Sequence, residues 1–167
     1  MTEDQMLTRR EWIAAMGRTL AAGTALAAAG SLLPARAAAA PPRAITVYKD
    51  ASCGCCKAWV THLRGNGFAP RAHDRSDMDA LKDSLGVPTA LRSCHTAMAG
   101  RYVIEGHVPA KDIARLMSTA PRGITGLAVP GMPAGSPGME MPGGRSDPYD
   151  VIAFHANGKT SVFASHR

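Results

Sequence analysis

The 167-residue chain is poor in aromatics, at 5% of its residues, and has no run of lysine or arginine despite a formal net charge of +6. A nucleic-acid surface needs clustered cations interleaved with aromatics, so that class of partner is excluded. A leucine-rich span is also missing. The one long apolar stretch, residues 14–33, is alanine- and glycine-rich and contains Arg18, which argues against a permanent membrane anchor. No internal repeat is present. A chain of this length ordinarily makes one globular domain.

What is there begins with the N-terminus. Thr8-Arg9-Arg10-Glu11-Trp12-Ile13 sets paired arginines before two bulky apolar residues and resembles a twin-arginine export signal. The weakly apolar stretch behind it ends in Pro34-Ala35-Arg36-Ala37, an Ala-x-Ala cleavage pattern. Residues 1–40 therefore read as a signal peptide and 41–167 as the mature domain, roughly 127–130 residues with one modest core. Removal of the signal takes away four arginines and three acids, lowering the net charge from +6 to +5. The expected destination is the periplasm or another extracytoplasmic space, with no membrane contact after cleavage. The twin-arginine route carries folded proteins, often with a cofactor inserted, while an oxidising compartment also favours disulfides. Four cysteines thus have two fates open to them.

Three of those cysteines fall within Ser52-Cys53-Gly54-Cys55-Cys56. The preceding Ala44-Ile45-Thr46-Val47-Tyr48 is β-branched and aromatic, as a strand requires. The following residues 57–64 place Trp59, Val60 and Leu63 at helical spacing. A strand-to-helix junction offers free backbone N–H groups and a helix dipole, both of which favour thiolate over thiol. Three adjacent thiolates repel one another, and either a soft metal or oxidation relieves that repulsion.

Taken in order, residues 45–48 form a strand, the cysteine turn leads into a helix to about Asn66, and residues 68–73 form a second strand. Ser76 is the expected N-cap of a helix ending at Gly86. Gly86-Val87-Pro88-Thr89 leads into Ala90-Leu91-Arg92, residues 102–106 form a strand, and 109–117 a helix with proline in its first turn. Residues 121–148, rich in proline and glycine, read as one long loop. Asn157-Gly158 between the apolar runs 151–155 and 160–164 is a hairpin signal. This order predicts an α/β, thioredoxin-like fold with a long Pro/Gly/Met loop and a C-terminal β-hairpin. Cys53 to Cys56 is a C-x-x-C, and Pro88 resembles the thioredoxin proline whose cis bond faces the active-site cysteines.

Together the Cys-x-Cys-Cys run, Gly-Val-Pro-Thr-Ala-Leu-Arg-Ser-Cys-His-Thr-Ala at 86–97, Ile-Glu-Gly-His-Val-Pro at 104–109, and the loop motifs at 126–133 and 135–140 resemble the CopG-type family of bacterial copper-resistance and metal-binding proteins. The resemblance covers about residues 45–163. It implies a thioredoxin-like fold and a periplasmic copper site built on cysteines, in a copper-resistance setting, with redox chemistry on copper as an extension of binding.

The residues themselves point the same way. Thiolate and thioether ligands are soft and select Cu(I). Three sulfurs from one four-residue turn suit bridging positions in a multinuclear copper–thiolate cluster better than one tetrahedral zinc. The expected metal set is Cys53, Cys55, Cys56 and Cys94, with His95, Met132, Met139 and Met141 assisting and several Cu(I) ions bound. His95 is either a ligand or a loop histidine that positions Cys94. The loop methionines are either ligands or gap-fillers. His107, between a strand and a helix, reads as structural, and His62, His73, His155 and His166 as surface or structural. The partners expected are copper ions and a periplasmic copper carrier or redox protein. The rival is a thiol–disulfide oxidoreductase with Cys53 as nucleophile and Cys56 as resolving thiol, against which the extra Cys55 argues; four cysteines allow three pairings if all are oxidised. One tension is geometric. An extended run from Pro88 would carry Cys94 up to ~20 Å away, so residues 92–100 must curl back or Cys94 must join from another direction.

Overall fold

The computed structural model describes residues 41–167; the export signal expected over residues 1–40 lies outside the described residues. Among those described, no helix is long and apolar enough to cross a membrane.

The fold is α/β, with three helices on a mixed seven-stranded sheet. The strands are β1 (Arg43–Lys49), β2 (Phe68–Asp74), β3 (His95–Ala99), β4 (Tyr102–Glu105), β5 (Ile124–Ala128), β6 (Tyr149–His155) and β7 (Thr160–His166). The helices are α1 (Gly54–Gly65), α2 (Met78–Ser84) and α3 (Ala110–Thr119). The sheet order is β2-β1-β3-β4-β5-β6-β7. β1 pairs parallel with β2 across α1, and β4 pairs parallel with β5 across α3; the remaining neighbours are antiparallel. The C-terminal hairpin is present as β6–β7, with a register shift at Val151/Ile152.

Period-two patterning puts Ile45 and Val47 on one face of β1, where Trp59, Val60 and Leu63 of α1 and Ile113 and Leu116 of α3 complete the main core. Trp59 is fully buried, and its indole N–H donates to the Val108 carbonyl at 2.9 Å, so burial of its one polar atom carries no penalty. The opposite face holds a smaller cluster of Val87, Leu91, Val103, Ala128 and Phe154. Burying residues such as Trp59 or Leu63 is worth about 1.5–3 kcal/mol each.

Several expectations are corrected. Residues 90–92 do not run on as an extended segment; Thr89–Leu91 is a short 3-10 turn. The second helix starts after Asp77 rather than Ser76, with no side-chain cap bond. No peptide bond among the described residues is cis, Pro88 included. Two strands appear where loop was expected. β3, His-Thr-Ala-Met-Ala, is rich in small residues, because Ala97 and Ala99 lie fully buried under the helices, where bulk has no room. β5 lies inside the proline- and glycine-rich stretch, so the long loop shortens to residues 129–148. Gly126 of β5 explains the disguise: a Cβ there would stand 2.1 Å from the Val103 carbonyl oxygen and 2.4 Å from the Phe154 ring. Gly126→Val is therefore expected to lose about 2–3 kcal/mol of stability or to fail to fold, read as a denaturant midpoint; an unchanged midpoint would contradict this packing.

β3 also resolves the geometric tension. It runs antiparallel to β1 with His95 opposite Lys49. Cys94 therefore enters from a neighbouring strand, at the end of β1 from which the cysteine turn departs.

Candidate metal centre

The site forms where β1 hands over to α1. The helix starts one turn earlier than its apolar spacing suggests, so Cys55 and Cys56 lie on its first turn and Cys53 is its N-cap. The Cys53 Sγ accepts the Cys56 backbone N–H at 3.3 Å, the role a serine or aspartate oxygen usually fills. Cys53 and Cys56 are joined as a disulfide, and Cys55 and Cys94 are free thiols. The Cys55 Sγ lies 3.6 Å from that of Cys53 and 3.8 Å from that of Cys94. All four sulfurs fall within 4.8 Å of one another. Cys56 is buried, and Cys53, Cys55 and Cys94 are half-buried, so the group opens to solvent on one side.

Cys94 belongs to a second group as well. Its Sγ is 3.2 Å from His95 Nδ1 and 3.1 Å from His107 Nε2, and both imidazoles are fully buried. The two rings meet edge-to-face at 4.9 Å, with His95 tilted against Trp59 at 4.4 Å. The His107 Nδ1–H donates to the Pro137 carbonyl at 2.8 Å, which fixes the tautomer and aims the Nε2 lone pair at Cys94. His95 Nε2 has no partner although it is buried. Thiolates with neutral imidazoles form a donor set suited to a soft or borderline metal, not to magnesium or calcium. The residues therefore fit such an ion.

Burial keeps these groups neutral. Desolvation, followed by the electrostatic influence of the neighbouring Cys55 sulfur, pushes the Cys94 thiol up to about 12, so its proton leaves readily only when a bound cation displaces it. Desolvation, then His107, then Lys82, holds His95 well below its ordinary 6.5, and desolvation also lowers His107. The unfolded chain thus takes up protons near pH 6.5 that the folded chain refuses. Stability falls as pH drops through that value. In the metal-free protein the denaturant midpoint is expected to fall between pH 7 and pH 5, and the fall should shrink in His95→Phe; a midpoint flat over that window would overturn the assignment.

The loop reaches the site through Pro137 and Gly138. Gly138, at φ +86°, lies so close to the first turn of α1 that a Cβ would stand 2.8 Å from both the Cys55 carbonyl oxygen and the Trp59 nitrogen. Both Glu140 carboxylate oxygens accept the Gly138 N–H, at 2.9 and 3.0 Å. Met139 is half-buried beside this contact, while Met132 before it and Met141 after it in the loop stand about half exposed. The expected set is thus brought together at Cys53, Cys55, Cys56, Cys94 and His95. His107, expected from the sequence to be structural, also lies in the group with Cys94 and His95. Its signal was the pairing of two segments across the Gly100-Arg101 turn: Thr96 opposite Glu105 makes Cys94-His95 and Gly106-His107 neighbours.

A family described as "Protein of unknown function, DUF411" matches residues 91–139, the stretch from Leu91 through both imidazoles to the loop. A solved structure named copper resistance protein copG, form 2, is 48% identical with a TM-score of 0.72, covering 75% of this chain and 99% of its own. Form 1 is 50% identical with a TM-score of 0.71, covering 75% and 98%. The chain belongs to the CopG family. A search of curated proteins gave no match. The two CopG structures each align with three quarters of this chain, as expected if the match is to the described domain.

Proposed function

We propose that this CopG-family chain is a periplasmic copper-binding protein that holds several Cu(I) ions as a thiolate cluster. Cys53, Cys55, Cys56 and Cys94 supply the sulfurs, and His95 and His107 the nitrogens. The observation that carries the reading is the sharing of Cys94 between a four-sulfur group and a sulfur–imidazole group. A thiolate in that position bridges metal ions, as a multinuclear site requires. Met139, beside the loop contact, is the best placed of the three methionines to assist, with Met132 and Met141 at the exposed rim. The role is copper detoxification by sequestration or transfer to a periplasmic carrier, with interconversion of Cu(I) and Cu(II) as a further capacity. In the same reading β2-β1-β3-β4 with α1, α2 and α3 are taken as a thioredoxin-like core, to which β5–β7 and the loop are added. Residues 1–40 are the export signal in this scheme.

Engaging all four sulfurs requires the Cys53–Cys56 bond to open, taking two electrons and two protons from a thiol reductant and giving two thiols. Copper binding then displaces protons, because the ligands must be thiolates and neutral imidazoles. The test is copper content and free-thiol count after anaerobic reduction, reconstitution with excess Cu(I) and desalting. Several coppers per chain, with thiols blocked until a chelator is added, are expected. No retained copper would end the proposal.

The same disulfide favours a second reading, a thiol–disulfide oxidoreductase acting through Cys53 and Cys56. Insulin-reduction turnover separates the two. Under the copper reading turnover is negligible; robust copper-independent turnover that disappears in Cys53→Ser would transfer the chain to the second.

A further inference from the structure

α2 buries one residue, and that residue is a lysine. Lys82 is 3% exposed and Glu105, its partner on β4, is fully buried. Taking such a pair out of water is costly unless every remaining donor and lone pair is engaged. Here they are engaged, by the segment that carries the copper ligands. Glu105 Oε1 accepts Lys82 Nζ–H at 2.5 Å and the Ser93 backbone N–H at 2.6 Å. Oε2 accepts the Thr96 hydroxyl at 2.6 Å, and that hydroxyl accepts a second Lys82 N–H at 2.9 Å. Ser93 and Thr96 immediately flank Cys94-His95. One carboxylate therefore grips the donor dipeptide from both sides.

Strand alternation gives this arrangement its consequence. Thr96 and Glu105 are opposite each other in the β3–β4 ladder and face α2. His95, one residue earlier, projects to the other face, against Trp59 and His107. The ion pair touches no candidate ligand, yet it sets the backbone from which two of them project. Arg92, ion-paired with Asp83 of α2, and the Ser93 hydroxyl, which donates to the Gly131 carbonyl at 2.7 Å, tie the same segment to the helix and the loop.

We propose that Glu105, held by Lys82, is a positioning residue that fixes Cys94 and His95 for copper from the opposite face of the sheet. The inference rests on the reading of those two residues as copper ligands. Its test compares two double variants of the full chain, both free of unpaired buried charge. K82M/E105L replaces the pair with apolar side chains of similar volume, a change that is often neutral for folding, but leaves Ser93 N–H without its acceptor. K82M/E105Q retains an amide oxygen for Ser93. Chelator competition is expected to show Cu(I) held about 10–100-fold more weakly in K82M/E105L, the usual consequence of losing an outer partner of a ligand, with near wild-type affinity in K82M/E105Q. Hydrogen exchange in the metal-free protein should be faster at the Ser93 and Cys94 amides in the leucine variant alone. A purely structural role would lower the thermal midpoint of both variants without separating their affinities. Equal affinity and equal protection in the two would overturn the proposal. If the wild type retains no copper, the functional reading fails while amide exchange still decides the clamp. If K82M/E105L does not fold, the near-isosteric Thr96→Val removes one arm of the grip and is expected to weaken copper about tenfold and to speed exchange across residues 93–96; no change in either would overturn it.

Discussion

Cys94→Ala is expected to leave a folded protein that retains little of the copper bound by its parent. Cys94 is the one member common to both donor groups, 3.8 Å from the Cys55 sulfur and 3.1 and 3.2 Å from the two imidazoles. Without it, three sulfurs from one turn of chain remain on one side and two histidines on the other, with nothing to bridge them. Affinity should fall by more than the ~10–100-fold that follows loss of an outer partner, because a ligand itself is removed. Folding should survive, since the deleted group is a neutral, half-buried thiol and not a buried charge. Cys53→Ser is the informative contrast. Serine caps helices well, so when the parent is compared with its Cys53–Cys56 bond reduced, α1 should start as before while one ligand is lost and the partial defect falls on copper. The checks are copper per chain after anaerobic reconstitution and a metal-free thermal midpoint. Full stoichiometry in Cys94→Ala would refute the shared-thiolate cluster.

The difference between Cys53 and Cys94 also marks what the sequence could reveal. The turn of three cysteines was legible because it is local: a β-branched strand, a helical spacing and adjacent thiols lie within about twenty residues of chain. Cys94 and His95 were identifiable by residue type, yet their route to the turn was not, because the route is β3. Its Thr-Ala-Met-Ala looks like nothing in particular, small side chains being what two covered sheet faces demand there. The place of His107 beside Cys94 is hidden for the same reason. Its contact with Cys94 exists only once the β3–β4 hairpin is paired. β5 was hidden by the glycine that lets it approach Val103 and Phe154. Periodicity reports which face is buried and says little about how closely two backbones meet, so tertiary proximity remained out of reach. The Lys82–Glu105 pair was invisible to the sequence as well, since a lysine on a short polar helix is ordinarily a solvated one.

Gly138→Val is expected to detach the loop and open the centre. The residue sits at φ +86°, where a β-branched side chain is strained, and its Cβ would meet backbone atoms of α1 at 2.8 Å, which cannot swing aside as a side-chain tip would. Strain of this kind costs about 1–3 kcal/mol, and overpacking adds a comparable amount. The loop's hold on α1 is not expected to outlast both. Its release has two chemical consequences. His107 loses the Pro137 carbonyl that fixes its tautomer, so the Nε2 lone pair is no longer aimed at Cys94. Water and oxygen also gain access to thiolates that are otherwise partly covered. The variant should therefore be cut faster by protease within residues 129–148 and lose copper faster to a chelator in air, while α1, α3 and the sheet keep their far-UV signature. Gly143→Val supplies the control: it shares the positive φ, but open space surrounds its Cβ. If the two variants release copper at the same rate, backbone strain alone accounts for the effect and the loop does not guard the site; if Gly138→Val is the faster, its contact with the cysteine helix is what closes the centre.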